Sequence, residues 1–382
     1  MSQNTKRRVI FFAPYRQCES ALYASAMASF IIKKTVDIRK YDFEYITLDK
    51  ESDYCSPLIE HCVHRILSPN EFKAHLSSYT PKGEPIKAKA VYWFDYNKQY
   101  LQHSLHCQNY FFADYTKWDW ERMQGTKHFA AVMYGAENVA RRMRLCLTNC
   151  YANHAIYASS FRTVAPLRED LVDSNRIKLI LSMCSIKNPQ NRLEILTNVR
   201  KLVAHSPDLF VTLLMDGRKF TGEQEIIDQL GAEYSGKCLV LESFSDYEYL
   251  NLLRQHDMFF DLNPVNGIGY LLTAALHQGL LVGGYDQMLY RDILNDGKFG
   301  VLVRGDRKEY GYEFDRVVPN WTKLFALLYD KILTPQTMRA LMQRRNDCPS
   351  YQQTVEQRIG PFLDMWQYYA NLKMPCYSFP ND

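Results

Sequence analysis

Gly267 and Gly269 flank Ile268 directly ahead of an apolar, helix-like stretch that opens at Tyr270. A Gly-x-Gly turn at a helix start lets backbone amides approach phosphate closely. The helix end adds partial positive charge that favours a bound anion such as phosphate. In the first half of the chain, Arg141, Arg142 and Arg144 fall within one helical turn, the spacing of a phosphate clamp. Lys33, Lys34, Arg39 and Lys40 add to that basic character. Through Asn175 there are 23 Lys+Arg against 18 Asp+Glu, and in the remainder 23 against 24. The excess therefore lies in the first half and points to an anionic partner such as nucleic acid, a phosphorylated glycan or a membrane surface, with a solvated basic face as the plain alternative.

These groups need a scaffold to hold them, and short apolar runs alternating with helical periodicity supply one: βαβ units around parallel sheets. A first series has strands near Val9–Ala13, Phe43–Leu48, Ala90–Phe94, Phe129–Tyr134 and Ala155–Ser159, with helices over about Glu19–Lys34 and Glu137–Cys150. The pattern dissolves over Val164–Asn175, which reads as a linker. A second series has strands at Lys178–Met183, Phe210–Met215, Cys238–Glu242, Met258–Leu262, Leu280–Gly283 and Gly300–Val303. Its helices cover about Asn191–Ala204, Glu223–Leu230, Asp246–Gln255, Tyr270–Gln278 and Trp321–Tyr329. An amphipathic segment, Val355–Leu372, follows. The expected fold class is α/β, with Rossmann-like doubly wound domains at 1–170 and 176–350 facing a central cleft, and a final helix in 351–382 crossing back to the first domain.

Composition agrees. A chain of 382 residues, 47% hydrophobic and 14% aromatic, exceeds one ordinary core and can bury two. Ten cysteines without a C-x-x-C pair fit reduced thiols and a cytosolic compartment, or the host cytoplasm for a viral protein. The apolar run Val9–Ala13 is too short for a signal-peptide core, and nothing approaches a membrane span.

The stretch Leu239–Gly284 carries a family likeness: a strand, Ser245-Asp246-Tyr247-Glu248-Tyr249-Leu250, a helix, then Asp257-Met258-Phe259-Phe260-Asp261-Leu262-Asn263-Pro264, the Gly267/Gly269 loop, a helix and a strand ending at Gly283-Gly284. This resembles the donor-binding domain of GT-B glycosyltransferases, especially family-4-like retaining enzymes. In the first half, Phe129–Tyr134, the loop Gly135-Ala136-Glu137-Asn138 and Ala152–Ser160 resemble the family's central strand, catalytic-loop turn and following strand. DNA-glucosylating phage enzymes share this architecture.

The resemblance implies a glycosyltransferase that uses a nucleotide-sugar donor, a UDP-sugar foremost, without metal or tightly bound cofactor. Donor contacts fall on Lys187 and Arg192 in the loop after the second domain's first strand, and on Gly267, Ile268, Gly269, Tyr270 and Thr273. The family's Glu-x7-Glu positions hold Asn266 and Ala274. Asn266 keeps an amide for a sugar hydroxyl, Ala274 cannot hold a ribose, and Thr273 is its substitute. Where the family often has a His, this chain has Glu137, a candidate base for the acceptor hydroxyl. Catalytic roles therefore fall to Glu137 and Asn266, and acceptor binding to Arg141, Arg142 and Arg144. A 5-hydroxymethylated pyrimidine in duplex DNA is narrowly favoured as acceptor, with a cell-surface or anionic glycan next. The missing glutamates leave a glycosyltransferase-like binding protein as an alternative of another class, and a nucleotide-sugar epimerase is disfavoured because no cluster of acid-base carboxylates and histidines is evident. Trp93, Tyr110, Phe111, Phe112, Trp118 and Trp120 are expected mainly as packing, with base or sugar stacking the sharper alternative.

Overall fold

The computed structural model describes residues 6–13, 19–48 apart from 36, 59–77, 88–113 apart from 96, 97 and 106, 128–134 and 150–152. It also describes 177–340 apart from 185, 187, 216, 218–219, 243, 245, 265–268, 295, 298, 306, 311–314, 335 and 337–338. The described residues up to Ala152, other than Glu19, form one compact unit; those from Ile177 onward, with Glu19, form another.

In the first unit seven parallel strands run in the order β3-β2-β1-β4-β5-β6-β7: β1 (Arg7–Phe12), β2 (Tyr41–Leu48), β3 (Cys62–Leu67), β4 (Ala88–Trp93), β5 (Gln108–Ala113), β6 (Ala131–Tyr134) and β7 (Cys150–Ala152). Helices α1 (Glu19–Lys34), α2 (Pro69–Leu76) and α3 (Lys98–Leu101) accompany them. Ser68 starts α2 with a reciprocal capping box to Glu71, which satisfies two otherwise orphaned amides. The core is built of rings. Phe11 stacks on Tyr92 at 5.3 Å and Tyr92 on Tyr110 at 4.9 Å on one face, while Phe12, Phe72, Trp93 and Tyr100 pack together. Trp93, Tyr110, Phe111 and Phe112 are thus packing residues, and Trp118 and Trp120 lie outside the described residues.

The second unit has six parallel strands in the order β10-β9-β8-β11-β12-β13: β8 (Ile177–Ser182), β9 (Leu209–Leu214), β10 (Cys238–Leu241), β11 (Met258–Asp261), β12 (Leu281–Tyr285) and β13 (Val301–Val303). A separate antiparallel pair, β14 (Arg307–Tyr310) and β15 (Asp315–Val318), follows. The helices are α4 (Pro189–His205), α5 (Glu223–Tyr234), α6 (Asp246–Arg254), α7 (Tyr270–His277), α8 (Met288–Ile293) and α9 (Trp321–Leu327). Asn188 caps α4, with Pro189 pre-set for its first turn. Leu179, Leu181 and Phe260 join Ile195, Val199, Leu213 and Trp321 in one apolar cluster. Alternation along the strands sends Ser182 and Asp261 to the opposite face.

Both units are therefore doubly wound Rossmann-like domains, as expected. Every strand expected in the second series is present. In the first, β3, β5 and β7 were not anticipated, and Cys150, expected to end a helix, opens β7. The expected strand Ala155–Ser159, the linker and the segment Val355–Leu372 lie outside the described residues. No helix among the described residues is long and apolar enough to cross a membrane. Cys62, Cys107, Cys184 and Cys238 are free thiols, and burial pushes Cys62 and Cys238 each up to about 12.

Candidate functional site

In the second unit the strand order reverses between β8 and β11, so successive crossovers leave in opposite directions, and the carboxyl ends of strands at such a reversal are where ligands of these sheets bind. That sheet end is polar and buried. Asp261, the last residue of β11, is level with Ser182 of β8 on one side and Gly284 of β12 on the other. Its carboxylate has 0% exposure. One oxygen, Oδ1, accepts from the backbone N–H of Asn263 at 3.0 Å and from the Asn263 side-chain amide at 2.6 Å, an Asx turn that sends the chain out of the strand. The other, Oδ2, accepts from the Tyr290 hydroxyl of α8. Gly284 makes this possible, because a Cβ there would stand 2.6 Å from the Tyr290 ring.

Around Asp261 the shell continues. Gln287 donates its amide to the Asn263 carbonyl at 3.1 Å. Asp286 at the end of β12 holds Arg291 through two hydrogen bonds, at 2.5 and 2.7 Å. Ser182 Oγ and Asn263 Oδ1 are buried and have no hydrogen-bond partner among the described residues. An unsatisfied buried oxygen costs on the order of 1–3 kcal/mol, so two of them at adjacent strand ends mark a place where folding energy is given up.

Next to this cluster α7 begins. Gly269 precedes it with φ 66°, the left-handed conformation that glycine adopts without strain, and a Cβ there would meet Ile293 Cδ1 at 2.7 Å. Gly269 carries no capping side chain. Instead the Leu271 N–H donates to Oε1 of Glu19, at 3.2 Å in a buried setting. Beneath it the Tyr249 hydroxyl donates to the Leu271 carbonyl at 2.7 Å. Burial first, then the nearby Tyr270, Glu19 and Asp261, holds the Tyr249 phenol well above its usual range, so it stays a donor.

Two expected donor contacts are corrected. Arg192 does not reach toward a diphosphate: its side chain has 0% exposure and makes a two-pronged ion pair with Glu223, Nε to Oε1 at 2.6 Å and a terminal nitrogen to Oε2 at 3.0 Å, with the Phe220 ring over the guanidinium. Its position one turn into α4 turns it inward, where only a buried carboxylate can compensate its charge. Thr273 is likewise buried within α7, and its hydroxyl donates to the Gly269 carbonyl one turn back at 2.7 Å instead of facing a ribose. Tyr270 is buried at the first helical position. Lys187, Asn266, Gly267, Ile268, Glu137, Arg141, Arg142 and Arg144 lie outside the described residues.

Sequence reasoning passed over Asp261, Tyr290, Gln287 and Glu19. The signal for Asp261 was present: a carboxylate inside the apolar run Met258–Leu262, where a central parallel strand normally carries none. Tyr290 and Glu19 carried no such signal, since each is defined by a partner distant in sequence.

No family model and no curated protein matches the chain. Solved structures do. MnaA of S. aureus, solved with UDP, superposes with a TM-score of 0.59 at 10% identity, over 97% of this chain and 100% of that one. A candidate UDP-N-acetylglucosamine 2-epimerase from Listeria monocytogenes gives 0.58 at 9%, over 98% and 100%. Anabaena HepE, in complex with UDP and glucose, gives 0.56 at 10%, over 96% and 100%. At such identities the likeness is one of fold, and together with the two doubly wound sheets it establishes the GT-B fold for this chain.

Proposed function

We propose that the protein is a glycosyltransferase whose second unit holds a nucleotide sugar, a UDP-sugar foremost, at the carboxyl ends of β8, β11 and β12. The observation that carries this reading is the buried polar end of those strands, built around Asp261 at the reversal of strand order, where ligands of such sheets bind. Two of the structures with this fold hold UDP, which supports the choice of nucleotide.

In the transfer, the acceptor hydroxyl oxygen bonds to the anomeric carbon as that carbon's bond to the diphosphate oxygen breaks. The nucleoside diphosphate departs with the electron pair, and the acceptor proton passes to a base, for which Glu137 is the candidate. Gly267, Ile268 and Gly269 present amides to the diphosphate, Lys187 adds a positive charge, and Asn266 hydrogen-bonds the sugar. Retention at the anomeric carbon belongs to the same reading. The basic first half favours an anionic acceptor bound through Arg141, Arg142 and Arg144, with a 5-hydroxymethylated pyrimidine in duplex DNA ahead of a surface glycan.

A second reading, interconversion of two nucleotide-sugar epimers without an acceptor, draws on the Listeria structure. Mass spectrometry after incubation with mixed sugar nucleotides tests both, given hydroxymethylcytosine DNA in one arm and glycan primers in another. A sugar mass added to either acceptor supports transfer. A new sugar-nucleotide epimer with both acceptors unchanged supports epimerisation. Nucleotide binding with no product leaves a binding protein.

A further inference from the structure

We infer that Ser182 and Asn263 form a subsite for a hydroxyl group, in which the Ser182 hydroxyl and the Asn263 side-chain oxygen together hold a ribose or donor-sugar hydroxyl of the nucleotide sugar. The inference deepens the nucleotide reading above and rests on it. The other polar groups of Asn263 are engaged. Its backbone N–H and its side-chain amide both donate to Asp261 Oδ1, at 3.0 and 2.6 Å, and its carbonyl accepts from Gln287 at 3.1 Å. Turning the side chain over would set its oxygen against that carboxylate, so Asn263 Oδ1 is fixed as an acceptor directed elsewhere. Asn263 Oδ1 and the Ser182 hydroxyl are both buried, and neither has a hydrogen-bond partner among the described residues. Ser182 ends β8 level with Asp261, the residue to which Asn263 is tied, so the two oxygens belong to the same end of adjacent strands.

Asn263 Oδ1 can only accept and a serine hydroxyl can donate or accept, so the group that joins them must itself carry a donor. A diphosphate oxygen has no proton to give, and the buried Asp261 carboxylate beside Asn263 opposes its charge. A hydroxyl meets both oxygens through a single atom, donating to Asn263 and accepting from Ser182. Elsewhere the expected contacts to a sugar hydroxyl are lacking: Thr273 donates back to the Gly269 carbonyl, and Ala274 has no polar side chain. Both oxygens are shielded from water, so a hydroxyl bound there counts for more than one at an exposed site, and a ligand without it leaves them unpaired.

Calorimetric titration of UDP, UDP lacking both ribose hydroxyls, UDP-glucose and inorganic pyrophosphate into full-length wild type, Ser182→Ala and Asn263→Ala tests this. Ser182→Ala breaks no hydrogen bond of its side chain within the fold, so its melting temperature should not fall. Asn263→Ala also loses the bond to Asp261, so the serine variant decides and the asparagine variant should follow it. UDP should bind Ser182→Ala at least about fivefold more weakly than wild type if the hydroxyl is the ribose's, with dideoxy-UDP and pyrophosphate binding both proteins alike. The same loss for UDP-glucose but not for UDP assigns a hydroxyl of the donor sugar. Equal binding of UDP and of UDP-glucose by wild type and Ser182→Ala overturns the inference and leaves the nucleotide reading standing. A matching loss for dideoxy-UDP or for pyrophosphate also overturns it, since the base or the phosphate would then be the group held. If neither UDP nor UDP-glucose binds wild type, the nucleotide reading fails and the inference falls with it.

Discussion

The Tyr290 hydroxyl reaches across from α8 to Oδ2 of Asp261, and so a carboxylate with no exposed surface at the end of a central strand has both oxygens satisfied. Removing that hydroxyl takes a hydrogen bond away from a buried carboxylate oxygen. Tyr290→Phe should destabilise the protein by roughly 1–3 kcal/mol. Asp261→Asn combined with Tyr290→Phe should cost less than the sum of the single changes, because the two residues share one interaction. Denaturant midpoints for the four proteins of this cycle check it, and strictly additive changes would contradict the pairing.

Gly269 is needed for conformation and for space. Gly269→Ala places a Cβ against Ile293 Cδ1 and forces a side chain into the left-handed region, which costs about 1–2 kcal/mol by itself. Adding Ile293→Val, which deletes that Cδ1, should recover the Ile293 part of the packing cost and leave the tight contact with Leu289 and the backbone part. Melting temperatures of the single and double variants separate the two contributions.

Arg192 and Glu223 are expected to govern stability and not ligand affinity. Glu223→Ala strands a buried guanidinium and should cost about 3–5 kcal/mol, whereas a paired replacement by Met and Leu should cost much less. The measurement is urea unfolding of both variants alongside UDP titration of the paired one. A large loss of affinity in a stable paired variant would return Arg192 to the ligand site.

In the first unit, Glu44 gives a pH-dependent prediction. Burial pushes its carboxyl up, but the hydrogen bond and charge of His75, then the charges of Arg8 and Arg65, outweigh burial and hold it below the usual range. A depressed carboxyl stabilises the fold above its unfolded pKa of about 4.3 and loses that contribution as pH falls through the folded value. The stability deficit of Glu44→Gln should therefore be larger at pH 6 than at pH 3.5. An equal deficit at both would mean that shape and not charge holds the cluster.

The second unit was legible because its parallel strands are buried on both faces and read as unbroken apolar runs bounded by turns. The first unit was less so for a local reason. The edge strand β3, Cys-Val-His-Arg-Ile-Leu, mixes charge with apolar residues, and Val63 and Ile66 are exposed, so neither a continuous nor a cleanly alternating pattern marks it. The site was partly legible. The turn at Gly269 was found because glycine's conformational role shows in composition. Arg192 was misread because a basic residue near a phosphate-binding loop looks the same in sequence whether it faces solvent or a buried partner such as Glu223, distant along the chain.

Hydrogen exchange of the full-length protein with and without saturating UDP tests the central claim most directly. Slowed exchange at the ends of β8 and β11 and at the first amides of α7, around Ser182, Asn263 and Leu271, is the predicted result. Binding that leaves those amides unchanged while protecting others, or no binding of UDP or any sugar nucleotide, would contradict it.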